Sequence, residues 1–453
     1  MERFKQEFTP SQSLLLSRNL KPAALLLAAI LINLVTAVYA SQLFSNHYPL
    51  GMDSFSHLPK LFYLVEHGFA SWFFDWYAGM PLFLFYPPLA YLLAYLPTLA
   101  GVDPLLSYKI VETGFILLAV PLVYLLARRI GLPRERAAYA VLIFSLIPFV
   151  PLNSLFFGRF TNIVALPFFL ACLYFTVDVV KGFSRRSMFL AGVFFALTLL
   201  THHLSAYMLA LVLVILGLNL LVEGRSLRGL VKQFFSLGSP ILIGLVFSSF
   251  WLIPFILYLH YWHQLALKPS AIYSLPIAVF AFVATVLVAS RLTEKILKPK
   301  NMYVRFAFVW AVLFFAYGSF LLPVEYLVPA GGEIDLMRFQ LYASLPLALL
   351  LADTETFSAN VGRRLKGLGR DTAVFLTLLF LVLNVVSGEV ILAFTPRVVA
   401  NEVRVGEIPQ PLLDYLSSRS EFGRVMAIDA PFWVYLLPHY TGKRLIDGWY
   451  PQG

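Results

Sequence analysis

The chain has 453 residues, of which 60% are hydrophobic and 13% are charged, and it carries a formal net charge of +10. The apolar residues recur in blocks of about twenty, which is more than one soluble core would bury, so an ordinary soluble domain is excluded. Cys172 is the only cysteine, which excludes a disulfide framework and a thiolate metal site. The composition therefore predicts an all-α polytopic membrane protein.

The excess of basic residues is explained by membrane topology rather than by binding of nucleic acid. Of the 34 Lys and Arg residues, 23 fall in six short stretches that alternate with apolar spans, which is typical of cytoplasmic loops. These stretches are residues 3–21, 128–136, 181–186, 225–232, 291–305 and 363–370. We predict a multi-pass protein of the cell membrane with its N-terminus inside and no nucleic-acid partner.

About eleven transmembrane helices are predicted within residues 22–395, after a cytoplasmic leader at residues 1–21. The predicted spans are residues 22–44, 105–127, 137–156, 161–180, 187–201, 204–222, 237–259, 271–290, 304–323, 338–352 and 372–395. The apolar stretch from Pro81 to Gly101 is left out, because as a full crossing it would place every later basic stretch outside. Its Tyr86-Pro87-Pro88 would also interrupt a helix, and its aromatic residues suit the headgroup level. We predict that it is re-entrant or lies on the membrane surface.

This topology places a large first loop and the tail on the outer face. The loop spans residues 45–104 and is rich in aromatic and charged residues, so it is expected to do more than connect two helices. The tail, residues 396–453, is predicted to be a short α/β extracytoplasmic segment with a helix at 411–418 and a strand at 424–429. It is too short for an independent domain, so it either packs against the outer loops or belongs to a longer protein.

The first loop contains the run GMDSFSHLPK, residues 51–60, whose spacing suits group transfer. Asp53 and His57 lie four residues apart, so they share one face of a helix, and Lys60 follows three residues later. A carboxylate at the membrane surface can deprotonate a hydroxyl or hold a divalent ion, and a nearby cation can neutralise a phosphate leaving group. The alternative is that Asp53 only caps the helix that contains His57.

Two further outer-face segments carry polar residues between apolar spans. His202 and His203 are adjacent, so on a helix they point about 100° apart and rarely bind one ion together. Either one of them faces the same site as Asp53, or both simply form a polar turn. Arg159 is a lone cation between two spans, which either contacts a phosphate or anchors the chain at the membrane edge.

The last outer segment before a span contains Glu333, Asp335 and Arg338. Arg338 at the membrane edge can bind a phosphate with two parallel hydrogen bonds, or it can pair with one of these carboxylates. Lys109 and Glu112 lie in the outer half of the second span, where a charge needs a partner or a water-filled cavity. These two residues either pair with each other or face such a cavity.

The chain lacks two common nucleotide-binding motifs, GxxxxGK[ST] and a GxGxxG that follows a strand. The outer face of a membrane has no supply of nucleotide sugars of its own. If group transfer takes place there, the activated donor must arrive in the membrane, and a sugar linked to a polyprenyl phosphate meets that need.

Three short motifs of the first loop resemble those of the GT-C superfamily of integral-membrane glycosyltransferases. They are Gly51-Met52-Asp53 with His57, then Trp76-Tyr77-Ala78-Gly79-Met80-Pro81, and Tyr86-Pro87-Pro88-Leu89. The resemblance extends over residues 22–395, and the tail motif DGWYPQG is similar too. Within the superfamily, the chain is most similar to prokaryotic membrane proteins that carry the label 6-pyruvoyl-tetrahydropterin synthase related.

The resemblance implies that Asp53 is a catalytic base or a metal ligand, and that residues 57–67 and 86–101 form surface-lying helices. Many members have a second acidic residue in the next outer loop, where this chain has Arg159 instead. The acids at Glu333 and Asp335 are the candidates to replace it.

The function that follows is an inverting glycosyltransferase with its active site on the extracytoplasmic side. The donor is a polyprenyl-phosphate sugar, the acceptor is a glycan, lipid or protein hydroxyl, and the cofactor, if any, is a divalent cation such as Mg²⁺ or Mn²⁺. The roles are base for Asp53, phosphate binding for Lys60, Arg159 and Arg338, and orientation of the donor or the ion for His57, His202 and His203. The alternatives are a transporter or flippase for a lipid-linked or anionic substrate, and a non-catalytic scaffold.

Overall fold

The computed structural model describes most of the chain outside its ends and residues 354–406. The described residues are 10–77, 79–147, 157–182, 184–222, 227–259, 269–297, 302–319, 322–329, 337–353, 407–420 and 423–448. The helices are α1 Pro10–Ser41, α2 Ser54–His67, α3 Leu89–Thr98, α4 Pro104–Ile130, α5 Arg134–Leu146, α6 Phe160–Gly182, α7 Arg185–Thr201, α8 His203–Leu221, α9 Leu227–Phe247, α10 Ser249–Tyr258, α11 Pro269–Leu297, α12 Met302–Tyr317, α13 Val324–Leu327, α14 Met337–Ala352, α15 Gln410–Ser418 and α16 Leu437–Thr441. The strands are β1 Trp72–Phe73, β2 Met80–Pro81, β3 Arg424–Val425 and β4 Arg444–Leu445, and Phe432–Leu436 forms a 3₁₀ helix.

Five described helices are long and apolar enough to cross a membrane. They are Lys21–Ser41, Pro104–Ile130, Phe160–Gly182, His203–Leu221 and Leu275–Lys295, and a bent pair, Leu237–Phe247 with Ser249–Tyr258, makes six if it counts as one span. All six coincide with predicted spans.

The predicted number of eleven spans is not confirmed. The predicted spans at 187–201, 304–323 and 338–352 are helices of 17, 16 and 16 residues. At 1.5 Å per residue they reach about 24–26 Å, less than the ~30 Å of a hydrocarbon core. The span predicted at 137–156 continues beyond the described end of α5, and the one at 372–395 lies outside the described residues.

The excluded stretch from Pro81 to Gly101 contains α3, which has ten residues and reaches only about 15 Å. The helix begins only after Pro87 and Pro88, so no single helix covers the stretch, as these two prolines predict. Helix α4 then begins at a well-formed cap, in which the Asp103 side chain accepts a hydrogen bond from the Leu106 N–H at 3.0 Å and Pro104 takes the first helical position. The first loop therefore ends with the short helix α3 and the capped start of α4.

Polar side chains inside the bundle are matched across helices. Asn33 of α1 donates to the Ser145 hydroxyl of α5 at 2.6 Å, and Ser41 shares a 2.9 Å hydrogen bond with Thr113 of α4. Lys109 donates from its Nζ to the carbonyl oxygens of Gln42 and Ser45, each at 3.0 Å. No ion pair joins Lys109 to Glu112 among the described residues, so the first of the two predicted alternatives is not observed, and Lys109 instead contacts carbonyl oxygens just after the end of α1.

Helix α6 connects the basic end of the bundle with the first loop. Its last turn holds Lys181, which donates to the Arg129 carbonyl and lies 5.3 Å from the Tyr303 ring, so three of the predicted basic stretches meet at this end. Its first residue, Phe160, stacks on Tyr108 near the first loop with ring centroids 4.1 Å apart. The 23 residues of α6 separate the two ends by about 33 Å.

The first loop, the tail and the first turns of α4 and α6 share a second hydrophobic core. Its buried members include Phe55 and Trp76 of the loop and Leu436 and Leu445 of the tail. The Leu445 N–H donates to the Asp75 carbonyl at 2.7 Å, which ties the two segments by their backbones as well. The described part of the tail therefore packs against the loop.

The tail contains the predicted helix, observed as Gln410–Ser418, but little strand. The predicted strand at 424–429 is reduced to β3, which pairs in parallel with β4 over two residues. Loop strands β1 and β2 pair antiparallel in the same short way. The predicted α/β character of the tail is therefore not confirmed by its described part, because a two-residue pair is too small to bury a face of its own.

Candidate active site

Two glycines interlock where the first loop meets the start of α6. Gly51 has φ +89°, and a Cβ there would lie 2.1 Å from the Gly158 nitrogen. Gly158 has φ +63°, and a Cβ there would lie 2.3 Å from the Ser54 hydroxyl and 2.8 Å from the Leu50 carbonyl. Only glycine allows backbones to approach this closely. The contact places Asp53 beside Arg159, although the two are far apart in sequence.

Asp53 occupies the N-cap position of α2, but its side chain makes no capping hydrogen bond. Its backbone N–H donates to the Phe157 carbonyl at 2.8 Å, and its carboxylate Oδ2 lies 4.0 Å from Arg159 Nε. Both residues are buried, at 7% exposure each. The carboxylate thus lies toward a cation and not toward the helix end. This argues against the alternative that the Asp53 side chain serves only to cap α2.

Lys60 lies two turns along α2 and is 3% exposed. Its Nζ stands 5.1 Å from the centre of the Tyr86 ring and 5.6 Å from that of Trp76. Burial lowers the pKa of Lys60 to about 8, while the charge of Asp53 acts to raise it. A buried ammonium held mainly by two aromatic faces retains donors for an anion.

Tyr86 stands at the centre of these side chains. Its ring centroid lies 5.7 Å from that of His57, 6.3 Å from that of His202 and 6.0 Å from that of His203, in addition to the contact with Lys60. The residue comes just before α3, which begins after Pro87 and the N-cap residue Pro88. Sequence analysis placed Tyr86 in a helix-interrupting segment and in a motif shared with the GT-C superfamily, but it did not name Tyr86 as a site residue.

The electrostatic surroundings of the Tyr86 hydroxyl are mixed. It shares a 2.8 Å hydrogen bond with Thr161 of α6. Burial is the largest effect and raises the pKa of Tyr86, and the charge of Asp53 also raises it. The hydrogen bond with Thr161 and the charges of Arg338 and Arg159 lower it. The charges of α14, α2 and the start of α6 therefore all act at this hydroxyl.

His57 is buried against the same aromatic group. Its Nδ1 shares a 2.8 Å hydrogen bond with the Tyr91 hydroxyl of α3, and its ring lies 6.1 Å from that of Phe160. Burial lowers the pKa of His57 well below its usual range, and the charges of Lys60 and Arg338 lower it further. Burial therefore favours the neutral imidazole, whose hydrogen bond to Tyr91 joins α2 to α3.

His202 and His203 both approach Tyr86 from the break between α7 and α8. Their ring centroids are 5.8 Å apart, and His202 forms the N-cap of α8 with its ring nitrogen accepting from the Ser205 N–H. Burial lowers the pKa of His202 well below its usual range, followed by the charges of Arg338 and His203. The turn is thus more than a polar connection, because it presents two imidazoles to the same tyrosine.

Arg338 is the second residue of α14 and is half-buried. Its charge acts on Tyr86, His57 and His202, which places it with the other two cations. Glu333 and Asp335, predicted to lie near it, fall outside the described residues.

A divalent metal ion does not fit the described part of the site. No group of three or more His, Cys, Asp or Glu side chains in the described ranges is arranged to hold a metal ion. Asp53 is the described carboxylate of the cluster, and its neighbours Arg159 and Lys60 are cations, which oppose a second positive charge. The arrangement suits an anionic ligand instead.

The structure thus gathers seven of the predicted residues around Tyr86: Asp53, His57, Lys60, Arg159, His202, His203 and Arg338. Two contributors were missed, Tyr86 and its partner Thr161. The signal available for Tyr86 was its place before two prolines within an aromatic loop, which fixes a local backbone but says nothing of what approaches the ring.

The fold is similar to that of an oligosaccharyltransferase from Archaeoglobus fulgidus. The crystal structure of that enzyme in complex with Zn and sulfate matches with a TM-score of 0.53 at 13% identity, over 94% of this chain and 62% of that one. Its apo form matches with a TM-score of 0.52 at 13% identity, over 94% of this chain and 64% of that one. This chain therefore spans less than two thirds of the length of that enzyme, and the likeness establishes the fold.

No curated protein matches the chain. Residues 83–395 match the family model of the 6-pyruvoyl-tetrahydropterin synthase related domain, which describes a membrane protein. The match includes Tyr86, Arg159, His202 and Arg338, and it begins after Asp53 and Lys60. Because it covers more than half of the chain, this protein belongs to the 6-pyruvoyl-tetrahydropterin synthase related family of membrane proteins.

Proposed function

We propose that this protein is an inverting glycosyltransferase that moves a sugar from a polyprenyl-phosphate carrier to an acceptor hydroxyl. The observation that carries the proposal is the convergence of three cations on one site. Lys60 lies over the Tyr86 ring, Arg159 lies beside Asp53, and the charge of Arg338 acts on Tyr86. A phosphate ester is an anion that three cations accommodate well.

In the proposed reaction, Asp53 removes the proton of the acceptor hydroxyl as its oxygen attacks the anomeric carbon of the sugar. The new bond forms on the face opposite the carrier, so the configuration at that carbon inverts. The bond between the anomeric carbon and the phosphate oxygen breaks, and its electron pair leaves with the polyprenyl phosphate. Lys60, Arg159 and Arg338 stabilise the negative charge that develops on this leaving group. No step requires a metal ion.

The fold supports a lipid-linked donor and an extracytoplasmic site. The cation cluster lies at the ends of apolar helices, where the headgroup of a lipid would be found. The basic end of α6, with Lys181 beside Arg129, lies about 33 Å from its start at Phe160. If the basic end is cytoplasmic, as positive loops usually are, the cluster faces the opposite side. The structural relative is itself an oligosaccharyltransferase.

The test uses the purified protein in liposomes with a panel of radiolabelled polyprenyl-phosphate sugars and glycan, lipid and peptide acceptors. Wild type should release or transfer label from at least one donor. Asp53→Asn should reduce the rate by about a hundredfold or more, because a general base is lost, while donor binding is kept. Unchanged turnover by this variant would refute the role of Asp53.

Asp103→Asn is the matched control for this substitution. Asp103 lies in the same loop and makes a capping bond to Leu106 that asparagine can also make. We expect this variant to retain full transfer. If the protein instead moves intact donor across the bilayer without cleaving it, the transferase proposal is wrong and the transporter alternative takes its place.

A further inference from the structure

The turn between α7 and α8 fixes which nitrogen of His202 carries the proton. His202 is 3% exposed, and its Nδ1 accepts from the backbone N–H of Ser205 at 3.1 Å and lies 2.6 Å from the Ser205 hydroxyl. N-caps are usually made by a side-chain oxygen, and here an imidazole nitrogen takes that place. Because Nδ1 accepts a hydrogen bond from a backbone N–H, the proton of the neutral ring must be on Nε2.

A network of three further side chains gives the same assignment. Asn162 of α6 donates from Nδ2 to the Ser205 hydroxyl and to the Tyr342 hydroxyl, each at 2.9 Å. Tyr342 of α14 donates to the Ser205 hydroxyl at 2.6 Å. The Ser205 oxygen therefore accepts two hydrogen bonds, and its single hydrogen is left to be donated to His202 Nδ1. The Ser205 O–H and N–H then share His202 Nδ1 as their acceptor.

The charges around the ring also favour the neutral form. Burial and the charges of Arg338, His203, His57 and Arg159 lower the pKa of His202 well below its usual range. A proton on Nδ1 would also point at the Ser205 N–H, so the positive ring would lose its cap. His202 is thus held as a neutral imidazole whose Nε2–H makes no hydrogen bond to a described residue.

Building on the proposed function, we propose that His202 donates a hydrogen bond from Nε2–H to a phosphate oxygen of the lipid-linked donor. Ser205, Asn162 and Tyr342 are positioning residues that fix the tautomer and the orientation of the ring. The His202 ring lies 6.3 Å from that of Tyr86, within the group that also contains the three cations. A hydrogen bond from a neutral imidazole depends on the position of the phosphate oxygen more strictly than the attraction of the three cations does. Because the ring is neutral, it keeps its Nε2–H over the physiological pH range.

The first test is binding of a short-chain polyprenyl phosphate to the full-length protein in nanodiscs. His202→Asn is the informative variant, because asparagine keeps the helix cap but has no atom in the place of Nε2. We expect an unchanged melting temperature and an affinity about tenfold lower or weaker still, as for the loss of one hydrogen bond to a charged group. An unchanged affinity in this folded variant would overturn the proposal.

The second test does not depend on the proposed function. In protein labelled with ¹⁵N only at its eight histidines, the signal of His202, assigned by its loss in His202→Asn, should be that of a neutral ring protonated at Nε2. Ser205→Ala should weaken this preference and lower the affinity for the phosphate, and Ser205→Thr, which keeps the hydroxyl, should restore both. A charged ring or an Nδ1–H tautomer in wild type would overturn the inference.

The two proposals can fail separately. If wild type binds no polyprenyl phosphate, the proposed function is wrong, and so is the assigned ligand of His202. If wild type binds the phosphate and His202→Asn binds it equally well, only the inference about His202 is wrong.

Discussion

Replacing Gly158 by alanine should break the contact that brings Asp53 and Arg159 together. The residue has φ +63°, and the added Cβ would lie 2.3 Å from the Ser54 hydroxyl, 2.8 Å from the Leu50 carbonyl oxygen and 2.8 Å from the Ser54 nitrogen. A left-handed conformation costs a non-glycine residue about 1–2 kcal/mol. Two of the three neighbours are backbone atoms, which cannot rotate away, so relief requires a shift of one segment against the other.

The cost of that shift should be about 1–3 kcal/mol, as for the insertion of a methyl group into a packed core. The total loss in the free energy of unfolding is then about 2–5 kcal/mol. Gly442 is the matched control, because it has φ +66° and ψ 4° and a Cβ there would meet no atom within 4 Å. Alanine at that position should cost only the backbone term of about 1–2 kcal/mol.

The assay is unfolding of each variant in mixed micelles, followed by tryptophan fluorescence, together with binding of a short-chain polyprenyl phosphate. Gly158→Ala should be less stable than Gly442→Ala and, under conditions where it is folded, should bind the phosphate about tenfold more weakly, because Arg159 is displaced. Gly442→Ala should bind like wild type. If the two variants lose equal stability, close backbone approach is not what Gly158 provides, and this argument for the geometry of the site is wrong.

Two further predictions concern pH. Burial lowers the pKa of Lys60 to about 8, so affinity for a polyprenyl phosphate should be nearly constant below about pH 7, be roughly halved near pH 8 and fall up to about tenfold per unit above it. Calorimetry on wild type and Lys60→Arg should show this fall only in wild type. A flat wild-type profile would contradict this. Burial, and then the charge of Glu66, raise the pKa of Asp75 to about 6. Because the folded-state pKa is the higher one, the stability that Asp75 contributes at low pH is lost as the pH rises through 6. Asp75→Asn should therefore be more stable than wild type by about 1 kcal/mol at pH 7.5, once the partial exposure of the carboxyl group is allowed for. The difference should vanish near pH 4. If the variant and wild type have equal melting temperatures at both pH values, the reasoning is wrong.

Hydropathy and capping residues predicted the long apolar helices well, because these signals act within a short segment. The six candidate spans of the described residues coincide with predicted ones, because a run of about twenty apolar residues has few alternatives to a helix in a membrane. The start of α4 is marked by Asp103 and Pro104, a cap and a first-turn proline whose effects act within a few residues. The number of spans was harder to predict, since helices of 16 or 17 residues are marginal in length.

The polar contacts of the site could not be derived in the same way. Lys109 was expected either to pair with Glu112, three residues away, or to face a water-filled cavity, and it instead donates to two carbonyl oxygens at the end of α1. Asp53 has the sequence position of a helix cap, and the backbone contact with residues 157–158 turns its carboxylate toward Arg159. In both cases a segment that is distant in sequence supplies a partner that replaces the local one. The periodicity of the sequence contains no information about such a contact.

By itself, the sequence determined that the chain is a helical membrane protein, where most of its apolar helices lie, and which polar residues are candidates for chemistry. Hydropathy and charge are properties of short segments, so they can be read without knowing what those segments touch. Only the tertiary structure decided that Asp53, Lys60, Arg159, His202 and Arg338 share one aromatic centre at Tyr86. That decision depends on packing between residues more than a hundred positions apart, such as Gly51 against Gly158, whose close approach is a property of the folded chain as a whole.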